Sequence, residues 1–248
     1  MIMEKEKQIS VVVPCYNEKR IIYQNINKIF RYLKENFESF EIIVVNDGST
    51  DGTIEELKKL EKFLSVRIID NKKNLGKGRA VKDGILASKY EVVMFIDADL
   101  PVPIEEIKRF LAEIEKGYEI VIASRFLPGA KLLTPVKWYR RILERIFMLL
   151  RMLILNTFEI KDTQCGFKMF RGKIAKRIFS IMEVNGFAFE SELIFIAKKW
   201  KHKIKELPVS LQNPQETHLK IFKDPIIMFF DLIRIRINGW LGKYNQNR

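Results

Sequence analysis

Residues 91–103 read EVVMFIDADLPVP. Val92 to Ile96 form an apolar run of the length expected for one strand buried on both faces. Asp97 and Asp99 follow at once, two residues apart, and Pro101 and Pro103 stop the segment. Hiding these carboxylates with the strand would carry a large desolvation cost, so the strand's carboxyl end must open onto a polar site that takes negative charge. In an extended segment residues i and i+2 project to one side, which aims both aspartates at one point. Such a pair suits a hard divalent cation that keeps diphosphate oxygens in its remaining positions. A lone D-x-D also serves as a helix cap or a solvated turn.

Four further β-branched runs flank this one: ISVVVP (9–14), EIIVVN (41–46), VRIID (66–70) and EIVIAS (119–124), separated by stretches with helical spacing. Strand and helix in alternation predict an α/β fold, a mostly parallel central sheet flanked by helices. Asp51 is placed to cap a helix starting near Thr53, and Pro103 ahead of Glu105 and Glu106 opens the helix after the fourth strand. Ligands of such sheets gather beyond the carboxyl ends of the strands. The polar clusters fall there: YNE (16–18), NDGSTDGT (46–53), NLGKGRA (74–80) and DADLPVP (97–103).

Beyond residue 125 the pattern changes. An apolar and basic stretch from 138 to 158 reads as a helix, and DTQCGFKMF (162–170) follows with no element assigned. Helices are expected at 171–181 and 187–200, a strand in KIKELPVSL (203–211), and PIIMFFDLIRIRINGW (225–240) is again apolar with arginines. At about 100° per residue, Lys137, Arg140, Arg141, Glu144, Arg145 and Arg151 share an arc of about 140°, with mostly apolar residues elsewhere. Such amphipathic helices suit the plane of a membrane interface. A core-packing helix with a solvated face has the same pattern.

The composition narrows the setting. The chain has 248 residues, 47% of them hydrophobic, which excludes a disordered or collagenous chain and a small disulfide scaffold. Cys15 and Cys165 match no CxxC or zinc spacing and read as reduced thiols. Residues 1–124 carry 20 Lys and Arg against 21 Asp and Glu, whereas residues 125–248 carry 24 against 10, so the net charge of +13 belongs to the second half. That asymmetry points to an anionic partner or to a lysine-rich solvated surface. The segment MIMEKEKQIS is too polar for a signal peptide, and no run is apolar enough to span a bilayer, so the expected place is the cytoplasmic face of a membrane, held peripherally or monotopically.

Singly, the loops say little. Asp47 suits a base or ribose contact but equally a turn; NLGKGRA offers glycines and Lys77 to a phosphate but lacks the Walker spacing. In order, however, VPCYNE, VNDGSTDGT, NLGKGRA, DADLP and ASRF resemble a family 2 glycosyltransferase with the GT-A fold. DTQCGFKMF and FAFESELIFIA (187–197) resemble its branch that glycosylates polyprenyl phosphates, of the dolichyl-phosphate glucosyltransferase and dolichol-phosphate mannose synthase type. The resemblance spans roughly residues 9–211. It implies a GT-A domain over 1–215, with a donor half to about 124 and an acceptor half beyond, then a mobile loop and an amphipathic tail over 216–248.

The resemblance also implies roles. Pro14, Tyr16, Glu18 and Asp47 would meet the nucleoside, Gly76 and Lys77 would lie near the nucleotide, and Asp97, Ala98 and Asp99 would line the diphosphate. The two aspartates would hold Mg²⁺ or Mn²⁺. Arg125, Asp162, Gln164, Glu190 and Glu192 would line the sugar and acceptor side. His218, in QNPQETHLK (212–220), is a candidate late metal ligand or phosphate contact, or else a solvated loop residue. Mannose synthases commonly read DADLQ, and Pro101 replaces that Gln here, leaving the third metal ligand open. The implied reaction is an inverting in-line transfer of a hexose, glucose from UDP-glucose before mannose from GDP-mannose, to a polyprenyl (dolichyl) phosphate. The partners are then the nucleotide-sugar donor, that lipid phosphate and an anionic membrane surface, with no nucleic acid. A soluble family 2 enzyme acting on a saccharide, and a basic nucleic-acid-binding module, are the rival readings.

Overall fold

The computed structural model describes residues 8–133, 138–211 and 223–246. Its centre is the strand read above, β4 (Val92–Ile96), which lies next to β1 (Gln8–Cys15). Beyond β1 lie β2 (Ser39–Asn46) and β3 (Val66–Asp70), all parallel. On the other side of β4 the chain inserts β7 (Phe167–Arg171), antiparallel to β4 and to β5 (Ile120–Ser124), and β8 (Ile204–Pro208) closes the edge parallel to β5. The sheet order is thus β3-β2-β1-β4-β7-β5-β8. A separate parallel pair joins β6 (Lys131–Leu132) to β9 (Ser210–Leu211).

β7 had no element assigned from sequence. It is five residues long, FKMFR, and carries a lysine at its second position and an arginine at its last, so neither its length nor its apolar content stands out. Its alternation is nevertheless strict. Phe167 and Met169 enter one core, while Phe170 enters the other.

The two cores are the two faces of the sheet. One is covered by α1 (Ile22–Asn36), α2 (Thr53–Phe63) and α4 (Ile107–Glu115), through residues such as Ile26, Leu57 and Phe110. The other is covered by α3 (Lys77–Ala87), α6 (Gly172–Ile181) and α7 (Phe189–Lys199). Outside these, α8 (Asp224–Trp240) packs on α7 and on α5 (Trp138–Leu155), and its Leu232 and Ile235 reach the same core. A helix stripe on each side of a sheet buried on both faces is the three-layer solution expected for such alternation.

The helix wheel of α5 needs one correction. Arg141 and Arg145 are exposed and Glu144 is half-buried, but Arg151 is only 1% exposed. Its guanidinium donates to Thr157 Oγ1 and Ile160 O, each at 2.7 Å. An arc on a wheel gives azimuth, not depth, and the last turn of α5 runs beneath the 157–161 loop. Of the other arc members, Lys137 lies outside the described residues.

Candidate active site

The loops after β1, β2 and β4 meet at one end of the sheet, with the amino end of antiparallel β7 beside them. The Asp97 amide donates to Gly166 O at 3.0 Å, just ahead of β7. Leu100 N donates back to Asp97 O at 3.1 Å, with Leu100 at a φ of 49°, so the segment turns sharply and both aspartates stay at the strand tip. A Cβ on Gly166 would fall 2.0 Å from Asp97 Oδ2, so only glycine lets this carboxylate lie against the backbone. Ala98 is buried between the aspartates, and its carbonyl accepts Asn25 Nδ2 at 2.8 Å.

Lys77, the first residue of α3, places Nζ 2.7 Å from Asp97 Oδ1 and 3.6 Å from Glu190 Oε1. Burial works against its charge, but the carboxylates of Asp97 and Glu190 prevail and hold its pKa above the ordinary lysine value. Burial, then the charges of Asp97 and Glu18, push the Asp99 carboxyl up to about 6, with Lys77 offsetting part of this. The carboxylates outnumber the cations at this tip. Hard oxygen donors gathered in surplus are what a divalent cation takes, and Asp97 and Asp99 could supply two of them. Among the described residues no three His, Cys, Asp or Glu side chains are grouped to hold a metal, so any further positions would fall to other oxygens. His218 lies outside the described residues.

The donor-side loops hold one another. Asp47 accepts from the amides of Leu75 at 2.9 Å and Gly76 at 2.8 Å, one to each oxygen. Its carboxylate therefore fixes the NLGKGRA loop at the start of α3, where Lys77 stands. Gly76 has a φ of 102°, and a Cβ there would fall 2.4 Å from Asn185 O. Asn17 N donates to Ser49 Oγ at 2.9 Å and Asn17 Oδ1 accepts Thr50 N at 2.8 Å, while Glu18 N donates to Thr53 Oγ1 at 2.8 Å. Asp51 accepts Thr53 N at 3.0 Å and Lys19 N at 3.1 Å, completing the lacing. Pro14 is buried in β1, and Tyr16 and Glu18 are half-buried on this rim.

Across β4, Arg125 and Asp162 form a forked pair. Arg125 Nε lies 2.7 Å from Asp162 Oδ2 and Nη2 lies 3.1 Å from Oδ1, and the Arg125 amide donates to Oδ2 at 2.9 Å. Burial raises the Asp162 pKa, but Arg125 outweighs it and holds the carboxyl below the ordinary range. Gln164 N donates to Asp162 Oδ1 at 2.9 Å, and Glu206 on β8 accepts the Lys161 and Asp162 amides at 2.8 and 2.9 Å. Arg125 Nη1 also lies 3.5 Å from Glu144 on α5.

Glu190 and Glu192 part company. Glu190 faces Lys77, whereas Glu192 accepts the Val184 amide at 2.8 Å and the Tyr244 hydroxyl at 2.6 Å, tying α7 to the segment after α8. It does not join the others. Two residues absent from the sequence reading belong near the site: Gly166 beneath Asp97, and Lys168 of β7, paired with Glu190. A lysine inside an otherwise apolar FKMF run was the available signal for the second.

A central strand ending in two aspartates, with the loops of its parallel neighbours laced around it and an antiparallel strand set into the sheet, defines a GT-A glycosyltransferase. The chain belongs to glycosyl transferase family 2, whose family model matches residues 10–179. A dolichyl-phosphate beta-glucosyltransferase of Trichomonas vaginalis is 33% identical over 94% of this chain and 75% of its own length. One of Homo sapiens is 32% identical over 96% and 78%. In fold, the chain matches the crystal structure of glucosyl-3-phosphoglycerate synthase from Mycobacterium tuberculosis in complex with Mn²⁺, uridine-diphosphate and phosphoglyceric acid. That match has a TM-score of 0.66 at 17% identity, covering 96% of this chain and 78% of that one.

Proposed function

We propose that the protein transfers glucose from UDP-glucose to a dolichyl or related polyprenyl phosphate at a membrane surface, with inversion at the sugar carbon. The observation that carries this reading is the likeness, over nearly the whole chain, to relatives named dolichyl-phosphate beta-glucosyltransferases. Asp97 and Asp99 would hold Mg²⁺ or Mn²⁺. When bound there, the cation supplies positive charge to the departing diphosphate. Lys77 adds a fixed ammonium on the same side, and the laced loops of Asn17, Asp47 and Asp51 keep the nucleoside rim in place without reorganisation.

The acceptor needs little help with its proton. A phosphate monoester has a second pKa of roughly 6, so near neutral pH it arrives mostly as the dianion. Orientation is then the chief requirement, and the Arg125–Asp162 fork with Gln164 and Glu206 is rigid enough to supply it.

The membrane reading is supported by the surface of α5 and α8. Among the described residues no helix is long and apolar enough to cross a membrane. Yet Trp138, Ile142, Ile146, Leu149 and Leu153 face outward along α5, at spacings of three and four, with Arg141 and Arg145 beside them. Ile226, Phe230, Ile237 and Trp240 do the same on α8. Apolar side chains among acyl chains, with arginines among phosphates, describe an interfacial helix pair. The test is a screen of the purified protein with UDP-glucose, GDP-mannose and other nucleotide sugars against a polyprenyl phosphate and soluble saccharides. Glucosylation of the lipid phosphate from UDP-glucose is expected, and transfer only to soluble acceptors would refute the reading.

A further inference from the structure

Lys168 is the second residue of β7, opposite Phe95 of β4 and Ile122 of β5, with none of its surface exposed. A buried ammonium is costly unless it is paired, and the transfer reaction has no direct use for one this deep. Its Nζ donates to Cys165 O at 2.7 Å and to Glu190 Oε2, and it lies 5.3 Å from the centre of the Phe95 ring. Glu190 is itself only 2% exposed, and its other oxygen faces Lys77 at 3.6 Å. Lys77 keeps its shorter contact, 2.7 Å, for Asp97. Charges therefore alternate in a line from the inside of the sheet to the site: Lys168, Glu190, Lys77, Asp97.

We propose that Lys168 is a positioning residue for donor binding. By engaging Glu190 from within, it keeps that carboxylate from capturing Lys77 and leaves the Lys77 ammonium on the Asp97 side, where the donor diphosphate is received. The inference rests on the donor reading given above. Its physical basis is competition between two carboxylates for one cation in a poorly solvated setting, where such attraction is strong. Neutralising the inner carboxylate decides the competition in favour of the outer one. Removing Lys168 leaves Glu190 buried with Lys77 as its remaining cation, so Lys77 moves inward. Removing the charge of Glu190 as well returns Lys77 to Asp97. A purely structural lysine would affect stability without this reciprocal effect on ligand binding.

The experiment is calorimetric titration of UDP with Mg²⁺ into wild type, Lys168→Met and the double variant Lys168→Met/Glu190→Gln. The single variant should bind UDP about tenfold more weakly, the size typical of losing a residue that orients a ligand-holding group, and the double variant should recover most of the loss. Wild-type affinity in the single variant, or a double variant as weak as the single, would overturn the proposal. Crystal structures of both variants without ligand read the same claim independently of the donor: Lys77 Nζ on Glu190 in the single variant, on Asp97 in the double. Lys77 still on Asp97 in Lys168→Met would overturn it, whereas a wild type that binds no nucleoside diphosphate would refute the donor reading instead. Lys168→Gln, which keeps a neutral donor, should shift Lys77 the same way to a smaller extent and takes the place of Lys168→Met if that variant does not fold.

Discussion

Around Asp97 the polar groups are held by the protein itself, whereas along α5 and α8 large apolar side chains face outward, Trp138 at 73% exposure and Trp240 at 71%. The first region is built of short loops, each pinned by another: Asp47 by the Leu75 and Gly76 amides, Asp51 by the Lys19 amide, Asp97 by Gly166. The second is two packed helices whose outer stripes leave bulky side chains at the surface. The difference follows from what each must meet. Stabilising charge as it develops requires dipoles already in position, while a fluid surface conforms to whatever apolar relief is offered to it. The two regions are joined at Arg125–Glu144, and Tyr244, just after α8, donates to Glu192 on α7, the helix that also carries Glu190.

If fixed charge is the essence of the first region, damage there should be large and specific. Asp99→Ala should lower turnover by at least ~100-fold, the scale of a lost electrostatic contact in the transition state, while thermal stability stays near that of wild type. Excess EDTA should do the same to the wild type, and full activity in EDTA would contradict a metal at this pair. Gly166→Ala comes next. With no room for a Cβ beside Asp97, it should displace that carboxylate and lower turnover by roughly 10- to 100-fold, visible as a shifted Asp97 in a crystal structure.

The second region should respond to a different set of variants. Reversing Arg141 and Arg145 to Glu should weaken binding to anionic liposomes by roughly tenfold or more at low salt, since each basic residue near such a surface contributes about 1 kcal/mol. Donor-nucleotide affinity, measured by calorimetry, should change less than about twofold because both side chains are exposed on α5. In the wild type, flotation should weaken but persist as salt rises, because the apolar part is not screened.

How much of this was legible beforehand depended on where a residue stood. Asp97 and Asp99 were readable because they follow an apolar run and no core could absorb them, and Lys77 because it stands among glycines at a helix start. Glu190 and Glu192 were read as a pair, yet a spacing of two means opposite things on the two elements: one side of a strand, but about 200° of turn on a helix. That is why the glutamates diverge, whereas the aspartates lie past the end of β4 and are held at the strand tip by the turn from Asp97 to Leu100, not by the extended segment expected from sequence. β7 was missed because a buried lysine makes a strand look like a loop, and the depth of Arg151 was missed because a wheel carries no depth. Asp47 reads equally as a ligand contact or a turn until its two amide partners are seen.

The bridges between the regions give smaller effects. Tyr244→Phe removes the hydroxyl that donates to buried Glu192, and a loss of about 1.5–3 kcal/mol is expected, seen as a midpoint several degrees lower in thermal melts. For Asp162 the folded carboxyl sits below its unfolded value, so the stability it confers is present above about pH 4 and fades as pH falls through the lower folded value. Asp162→Asn should therefore melt earlier than wild type at neutral pH, with the gap closing in acid. A gap that is constant with pH would mean that the Arg125 pairing contributes nothing.

Purified protein should be incubated with UDP-glucose, Mg²⁺ and dolichyl phosphate in anionic liposomes, and the lipid product examined by NMR for its anomeric configuration. Dolichyl phosphate carrying β-linked glucose is the predicted result; an α-linked product, or glucose released to water with the lipid phosphate untouched, would contradict it.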